Sequence, residues 1–333
     1  MKASDSLVRA IWRSMERVAY YPFVFPHEQR IRDAISKVGG INIDFHTHTI
    51  FSDGFNTPHY NVVVAARRGL EGIAITDHDT HAHFDECEKA ARRFYKDPKG
   101  KRVKMMVIPG IEITAQKLLG NRIFPAHLVA IYDSYGVTPE IRKLVKLANR
   151  AKQELGKIGE RSLSIEEAID LMRESNARVI APHYWNIYGV GREKLAKLGK
   201  RIDAYEVYNV SSGMMDPRGD PGLKIARVGN SDAHWGRANV GIASTIFPGV
   251  KEEAQEMKLE SILEAIDRRE TKPCLCIRDN YIANLEKFGY IHLARDLTAL
   301  LEYLDDEHRV LAERTNSILM GREERRLDGT IIH

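Results

Sequence analysis

His46-Thr47-His48 and the Ser52-Asp53-Gly54 turn hold the residues of this chain best suited to chemistry. Residues 41–45, Ile-Asn-Ile-Asp-Phe, are β-branched and aromatic and predict a strand leading into them. Side chains two apart on a strand share a face, so His46 and His48 can project into one site. The turn would leave the Asp53 carboxylate near the mouth of that site. Taken alone, two such histidines also read as polar side chains at a surface.

Further candidates lie in or just after predicted strands. Thr76-Asp77-His78-Asp79 follows a strand at 72–76, and Glu112 follows one at 103–108. His127 falls within 122–132, His183 follows 178–181, and Asp232-Ala233-His234 follows 225–228. Polar residues gathered at the C-terminal ends of parallel strands mark the rim where barrel loops converge. Each one singly could be a satisfied histidine or a capping aspartate. Their repeated placement at one end favours a site.

The elements that must position them alternate. Helices are expected at 58–68, 83–95, 138–158 and 164–174, the last opened by the N-cap pattern Ser164-Ile165-Glu166-Glu167. Further strands are expected at 204–207, and helices at 259–269 and 293–304. Repeated β-then-α order at this length predicts an α/β barrel with a largely parallel sheet over residues 41–270. Residues 1–40 read as a helical extension, with helices at 5–20 and 27–37, and 271–333 as a second one.

Composition narrows the class. The 333 residues are 43% hydrophobic and 29% charged, as in a folded protein able to bury one large core. A net charge of +4 is too small to argue for a long nucleic acid. Arg142, Lys143, Lys146, Arg150, Lys152 and Lys157 read as one solvated helix face. Three cysteines, Cys87, Cys274 and Cys276, build no disulfide framework, and they read as buried thiols of a cytoplasmic protein. No stretch approaches the roughly twenty apolar residues of a membrane span, and no signal-peptide layout opens the chain.

The set resembles the polymerase-and-histidinol-phosphatase (PHP) superfamily over about residues 41–270. That resemblance implies a distorted (βα)7 TIM-like barrel, here with extra N- and C-terminal helices, around two or three divalent metal ions. It assigns His46, His48, Glu112 and Asp232 to one metal and Glu112, His127 and His183 to a second, with Glu112 bridging. Asp53, His78 and His234 fall to a third. Asp53 stands where histidinol-phosphate phosphatases of the superfamily usually carry histidine, and the short spacings around Glu112 and His183 match its compact members.

Six imidazoles and three carboxylates suit Zn²⁺, Mn²⁺ or Fe²⁺ better than Mg²⁺. Three such ions against three carboxylates leave about +3, a site for a phosphate dianion. The implied activity is hydrolysis of a phosphate ester of a small metabolite or a nucleotide by a metal-bridging hydroxide, with Asp232 as a weak candidate for proton transfer. Asp77 and Asp79 read either as groups orienting imidazoles or as helix N-caps. Arg192 and Arg237 are candidate phosphate clamps against a default of surface exposure. His81, His83, His59, His27, His292, His308 and His333 read as residues without a site role, the first two at the surface. Other readings are an exonuclease on short oligonucleotides, a histidinol-phosphate-type phosphatase and a non-catalytic scaffold. The terminal helices are a candidate surface for a homo-oligomer.

Overall fold

The computed structural model describes residues 32–37, 40–212, 215–234, 239–248 and 259–275, and the two-residue strands 324–325 and 331–332. The helices expected at 5–20 and 293–304, together with Arg237, Cys276, His27, His292, His308 and His333, lie outside these residues. Helix α1 (residues 32–37) precedes β1 (Ile41–Asp44), α2 (Pro58–Arg68), β2 (Gly72–Ile75) and α3 (Phe84–Ala91). A small hairpin, β3 (Phe94–Lys96) with β4 (Arg102–Lys104), leads to the long pair β5 (Met106–Leu119) and β6 (Arg122–Ile131). Then follow α4 (Pro139–Gln153), α5 (Ile165–Glu174), β7 (Arg178–Ala181), α6 (Arg192–Leu198), β8 (Ala204–Asn209) and β9 (Ala226–Asn230). The series ends with β10 (Ala243–Phe247), α7 (Leu259–Asp267) and β11 (Lys272–Leu275), apart from the paired β12 (Glu324–Arg325) and β13 (Ile331–Ile332).

Nine strands form one barrel-shaped α/β sheet in the order β11-β10-β1-β2-β5-β6-β7-β8-β9. The sheet is nearly closed. Thr245 Oγ1 of β10 donates to the Gly229 carbonyl and accepts from its N–H, so one hydroxyl stands in for a ladder rung toward β9. Strict alternation of strand and helix would make every pair parallel. Here β1–β2, β2–β5, β7–β8 and β8–β9 are parallel, whereas β5–β6, β6–β7, β1–β10 and β10–β11 are antiparallel. For β6 the physical reason is the Gly120-Asn121 turn. Gly120 takes φ 64°, which a two-residue hairpin favours, and the chain folds straight back from Leu119 to Arg122. β11 also carries the sheet past residue 270.

Inside the barrel Ile41, Ile43, Phe45, Ala74, Ile108, Val129, Ile180, Ala204, Val228 and Phe247 form one buried cluster, joined by Ile262 and Ile266 of α7. Phe45 and Phe247 meet edge to face, with centroids 5.9 Å apart. The helices start where the sequence places their caps. Thr57 accepts from the Tyr60 N–H ahead of Pro58, and Ser164 and Glu167 form a reciprocal capping box. Helix α2 ends on Gly69 in the left-handed region (φ 87°).

One tether joins the β5–β6 hairpin to the loop after β7. Lys117 Nζ donates to the Ile187 and Gly189 carbonyls, 2.6 and 2.5 Å away. Burial pushes its ammonium down to about 8. Lys117→Met should cost about 1–3 kcal/mol by stranding two carbonyls, read from the midpoint of urea unfolding. Because the folded-state value lies below the unfolded one, this lysine's charge opposes folding, and its contribution to stability rises as pH climbs from about 8.

Candidate metal centre

Strand ends, together with the middle of the long β5–β6 pair, deliver nine side chains to one face of the barrel. After β1 the chain stays extended, and Thr47 bridges to Ala233 while the Thr76 N–H donates to the Thr47 carbonyl at 2.8 Å. That pins His46 and His48 between the ends of β2 and β9. Gly54 then lets the turn fold back: a Cβ there would lie 2.4 Å from the His48 carbonyl carbon. Asp53 is thereby held beside His234 (3.3 Å), His48 (3.7 Å) and His78 (3.8 Å).

Glu112 is the hub. Its Oε2 lies 3.0 Å from His46 Nε2, 3.0 Å from His48 Nε2 and 3.4 Å from His78 Nδ1. Its Oε1 lies 3.0 Å from His127 Nδ1 and 3.2 Å from His183 Nε2. The two oxygens of one carboxylate thus face two separate groups of imidazoles. Asp232 Oδ1 completes the first group, 3.2 Å from His48 Nε2 and 3.5 Å from His46 Nε2.

Three sets have ligand atoms within 4.8 Å of one another: His46-His48-Glu112-Asp232, His48-Asp53-His78-His234, and His78-Glu112-His127. The first matches the expected division. The second adds His48 to the expected trio, and the third holds His78 where His183 was expected. His183 stays next to Glu112 and 4.0 Å from Asp232 Oδ2.

Glu112 lies within β5 and not in a loop after a strand. The strand runs on through Pro109-Gly110, where a Cβ on Gly110 would lie 2.8 Å from both the Ala130 carbonyl oxygen and Thr76 Cγ2. Asp79 (φ 50°), His183 (φ 23°) and Asp232 (φ 52°) adopt left-handed backbone, strain of the kind that collects at functional sites.

The electrostatics follow from packing. Burial disfavours charge on every member, yet opposite charges outweigh it for most. Despite burial, Asp232, Glu112 and Glu206 hold His46 well above the usual imidazole range, and Asp232 with Glu112 lifts His48 to about 10. Against burial, His78, His46 and His127 hold the Glu112 carboxyl well below the usual carboxylate range. For His78 burial dominates and pushes the ring well down.

The PHP domain family model matches residues 44–187 of this chain. That stretch resembles a PHP domain. A stretch of 72 residues, 22% of the chain, is 39% identical to a phosphoribosyl 1,2-cyclic phosphate 1,2-diphosphodiesterase of Eggerthella lenta. The chain spans about a quarter of that relative's length, 24%. A Bacteroides vulgatus two-domain protein containing a predicted PHP-like metal-dependent phosphoesterase superposes with TM-score 0.46 at 20% identity, over 71% of this chain and 64% of that one. PsfC from Pseudomonas syringae gives TM-score 0.47 at 15% identity, over 77% of this chain and 98% of its own.

Around the clustered ligands lie residues to which sequence reasoning gave no role. Glu206, fully buried, accepts from His46 Nδ1 (2.9 Å), the His183 N–H (2.8 Å), Asn209 Nδ2 (2.7 Å) and Asn230 Nδ2 (2.9 Å). It therefore fixes the His46 tautomer with the proton on Nδ1 and leaves Nε2 to face Glu112. Asp44 accepts from Ser231 Oγ, the Ser231 N–H and the Gly241 N–H, and burial pushes its carboxyl up to about 6. Asn61 of α2 donates to the His48 carbonyl at 3.0 Å. The signal available in sequence was a polar side chain inside an otherwise apolar strand, as Glu206 is in Ala-Tyr-Glu-Val-Tyr-Asn.

Other expectations shift. Asp77 neither caps α3 nor touches a clustered imidazole: it accepts from the Thr49 N–H (2.7 Å), Thr49 Oγ1 (2.5 Å) and Ser52 Oγ (2.6 Å). Asp79 accepts from the Thr114 N–H and Oγ1 at 2.7 and 2.8 Å. Both aspartates hold ligand-bearing loops. His83 is fully buried and not at the surface, because as the N-cap of α3 it turns its ring onto the Ile75 and Gly110 carbonyls. Arg192 donates to Asp216 and the Gly219 carbonyl, away from the cavity that the ligands line. That cavity, about 170 Å³, is walled beyond the ligands by Thr114, Lys152, Asn186, Tyr188, Ser211 and Ser212.

Proposed function

We propose that the chain is a metal-dependent phosphoesterase acting on a phosphate ester of a small metabolite or a nucleotide. The observation that carries this reading is Glu112, whose two oxygens each face imidazoles from different strands. The donor set fits divalent cations. His46 Nε2 and His48 Nε2 point at one another across 3.1 Å, which suits a cation between them better than a bond. Among the described residues, His48 Nδ1, His78 Nδ1 and His183 Nδ1 are buried without a hydrogen-bond partner. Imidazole with carboxylate and no thiolate suits Zn²⁺, Mn²⁺ or Fe²⁺.

His46, His48, Glu112 and Asp232 would hold one cation. Glu112 with His127, His78 and His183 would hold a second, and Asp53, His78 and His234 a third. Cations bound there supply Lewis acidity and a nucleophile at neutral pH. The protein's own part is positional. Glu206 orients His46, Asp77 and Asn61 hold the loop carrying His48 and Asp53, and Glu112 keeps the two groups in register. Asp232 stays ionised, held down by the surrounding histidines, so it serves as a ligand and not as an acid.

Release of p-nitrophenol from p-nitrophenyl phosphate and from bis-p-nitrophenyl phosphate, with Mn²⁺, Zn²⁺ or Fe²⁺ added to the full chain, tests this reading. The likeness to a cyclic phosphate diphosphodiesterase puts the diester in the assay beside the monoester. Protein that retains metal yet hydrolyses neither ester would sink the proposal. Activity on a dinucleotide with none on a sugar phosphate would favour the exonuclease reading.

Two further outcomes are expected. A ligand imidazole must be neutral, whereas His48 in the metal-free protein keeps its proton up to about 10. Mn²⁺ binding at pH 7 should therefore release protons, and apparent affinity should rise with pH. Calorimetry in two buffers of different ionisation enthalpy measures this. Lys152 of α4 lines the cavity 3.8 Å from Asp79 and brings a cation to its wall. Lys152→Ala should raise KM by up to about 5-fold with little change in kcat, the loss of one exposed charge contact to an anion.

A further inference from the structure

His83 belongs to none of the ligand clusters, yet it bonds to two of the arms that carry them. Its Nε2 faces two acceptors that can only accept, the Ile75 carbonyl at 3.1 Å and the Gly110 carbonyl at 2.9 Å, so Nε2 carries the proton. Its Nδ1 lies 3.5 Å from Asp77 Oδ2, and Asp77 grips Thr49 and Ser52.

The two carbonyls sit where one ladder gives way to another. β2 and β5 pair in parallel up to Ile75 and Pro109. Beyond that point the ladder is interrupted until His78 and Glu112 bridge again, while Gly110 pairs with Ile131 of β6 on the other side of β5. Ile75 lies three residues before His78 and Gly110 two before Glu112. Buried carbonyls at such a fork need a donor from elsewhere. The imidazole of the fully buried His83 supplies one N–H to both.

We propose that His83 is a positioning residue for the metal centre, locking the fork from which β2 and β5 deliver His78 and Glu112. The inference rests on the metal-centre reading above. It adds a residue that touches no ligand atom and acts through backbone carbonyls.

The test compares His83→Leu, which removes the donor, with His83→Gln, whose side-chain amide can reach both carbonyls. Three readouts apply to the full chain: amide hydrogen exchange of segments 76–79 and 110–114 in the metal-free protein, Mn²⁺ affinity and stoichiometry, and kcat and KM on the aryl phosphate. His83→Leu should exchange those amides at least about 10-fold faster, weaken Mn²⁺ by about 10–100-fold and lower kcat over KM through kcat. His83→Gln should recover all three to within a few-fold. Should His83→Leu fail to fold, His83→Asn, whose shorter amide falls back toward the Nδ1 position, takes its place with the same expected losses.

Wild-type exchange and Mn²⁺ affinity in His83→Leu would overturn the proposal. So would losses in His83→Gln equal to those in His83→Leu, which would mean that the ring's bulk matters and not its N–H. A wild-type chain that binds no Mn²⁺ would defeat the metal-centre reading instead, and the exchange comparison would still decide whether His83 holds the fork.

Discussion

Glu112→Gln is expected to abolish phosphoesterase turnover, with kcat down by about three orders of magnitude or more. The substitution preserves volume and changes one oxygen to an amide nitrogen. Both oxygens are engaged, one by His46, His48 and His78 and the other by His127 and His183, so neither orientation of the amide escapes. An amide group is a donor, and a donor cannot stand between imidazole nitrogens and share a cation with them. It also removes one negative charge from a buried site where that charge helps hold His46 above the usual imidazole range when metal is absent. A metal contribution to the barrier of several kcal/mol corresponds to roughly a thousandfold in rate. Metal content by elemental analysis should fall in parallel. A variant that keeps its metal and turns over at a rate near that of the parent would remove Glu112 from the centre.

Glu206→Gln is expected to weaken metal binding by about 10–100-fold and to destabilise the fold by about 1–3 kcal/mol. Glu206 accepts four hydrogen bonds without exposure to solvent, two at each oxygen. Any amide rotamer points its NH₂ at two other donors. If that is the oxygen facing His46 Nδ1, the ring loses the contact that fixes its tautomer. If it is the other, the His183 N–H is stranded while His183 is already held in left-handed backbone. Either way a ligand is misdirected. Urea unfolding of the metal-free protein separates the stability loss from the metal loss measured by Mn²⁺ titration. Unchanged values in both would show that Glu206 only fills space.

The nine clustered residues were legible because they are polar residues at the ends of apolar runs, and the barrel turns that one-dimensional pattern into a face. The sheet's mixed direction was less legible. Gly120-Asn121 between apolar runs is a hairpin signal, but a β-then-α rhythm on both sides conceals it. Ala243–Phe247 and Lys272–Leu275 are too short and too close to polar neighbours to stand out as strands, and only the first pairs with β1, across some two hundred residues. His83 shows the other limit. Two histidines spaced like a strand pair open a helix instead, and only the helix's rotation against β2 and β5 decides that one of them is buried. Glu206 likewise reads as half-buried strand polarity until β7 and β1 are placed beside it.

The left-handed conformations of Asp79, His183 and Asp232 bear on how this barrel can change over time. Apart from glycine, asparagine and aspartate occupy such backbone most readily, and β-branched residues hardly at all. Asp232→Asn should thus yield a folded, inactive protein, whereas Asp232→Val should compromise folding as well as chemistry. Random libraries at these three positions should return few stable members. New specificities should arise more readily from Asn186, Tyr188, Ser211 and Ser212, whose backbones carry no such restriction. The scaffold thereby separates the positions where reaction type is fixed from those where the choice of substrate can drift.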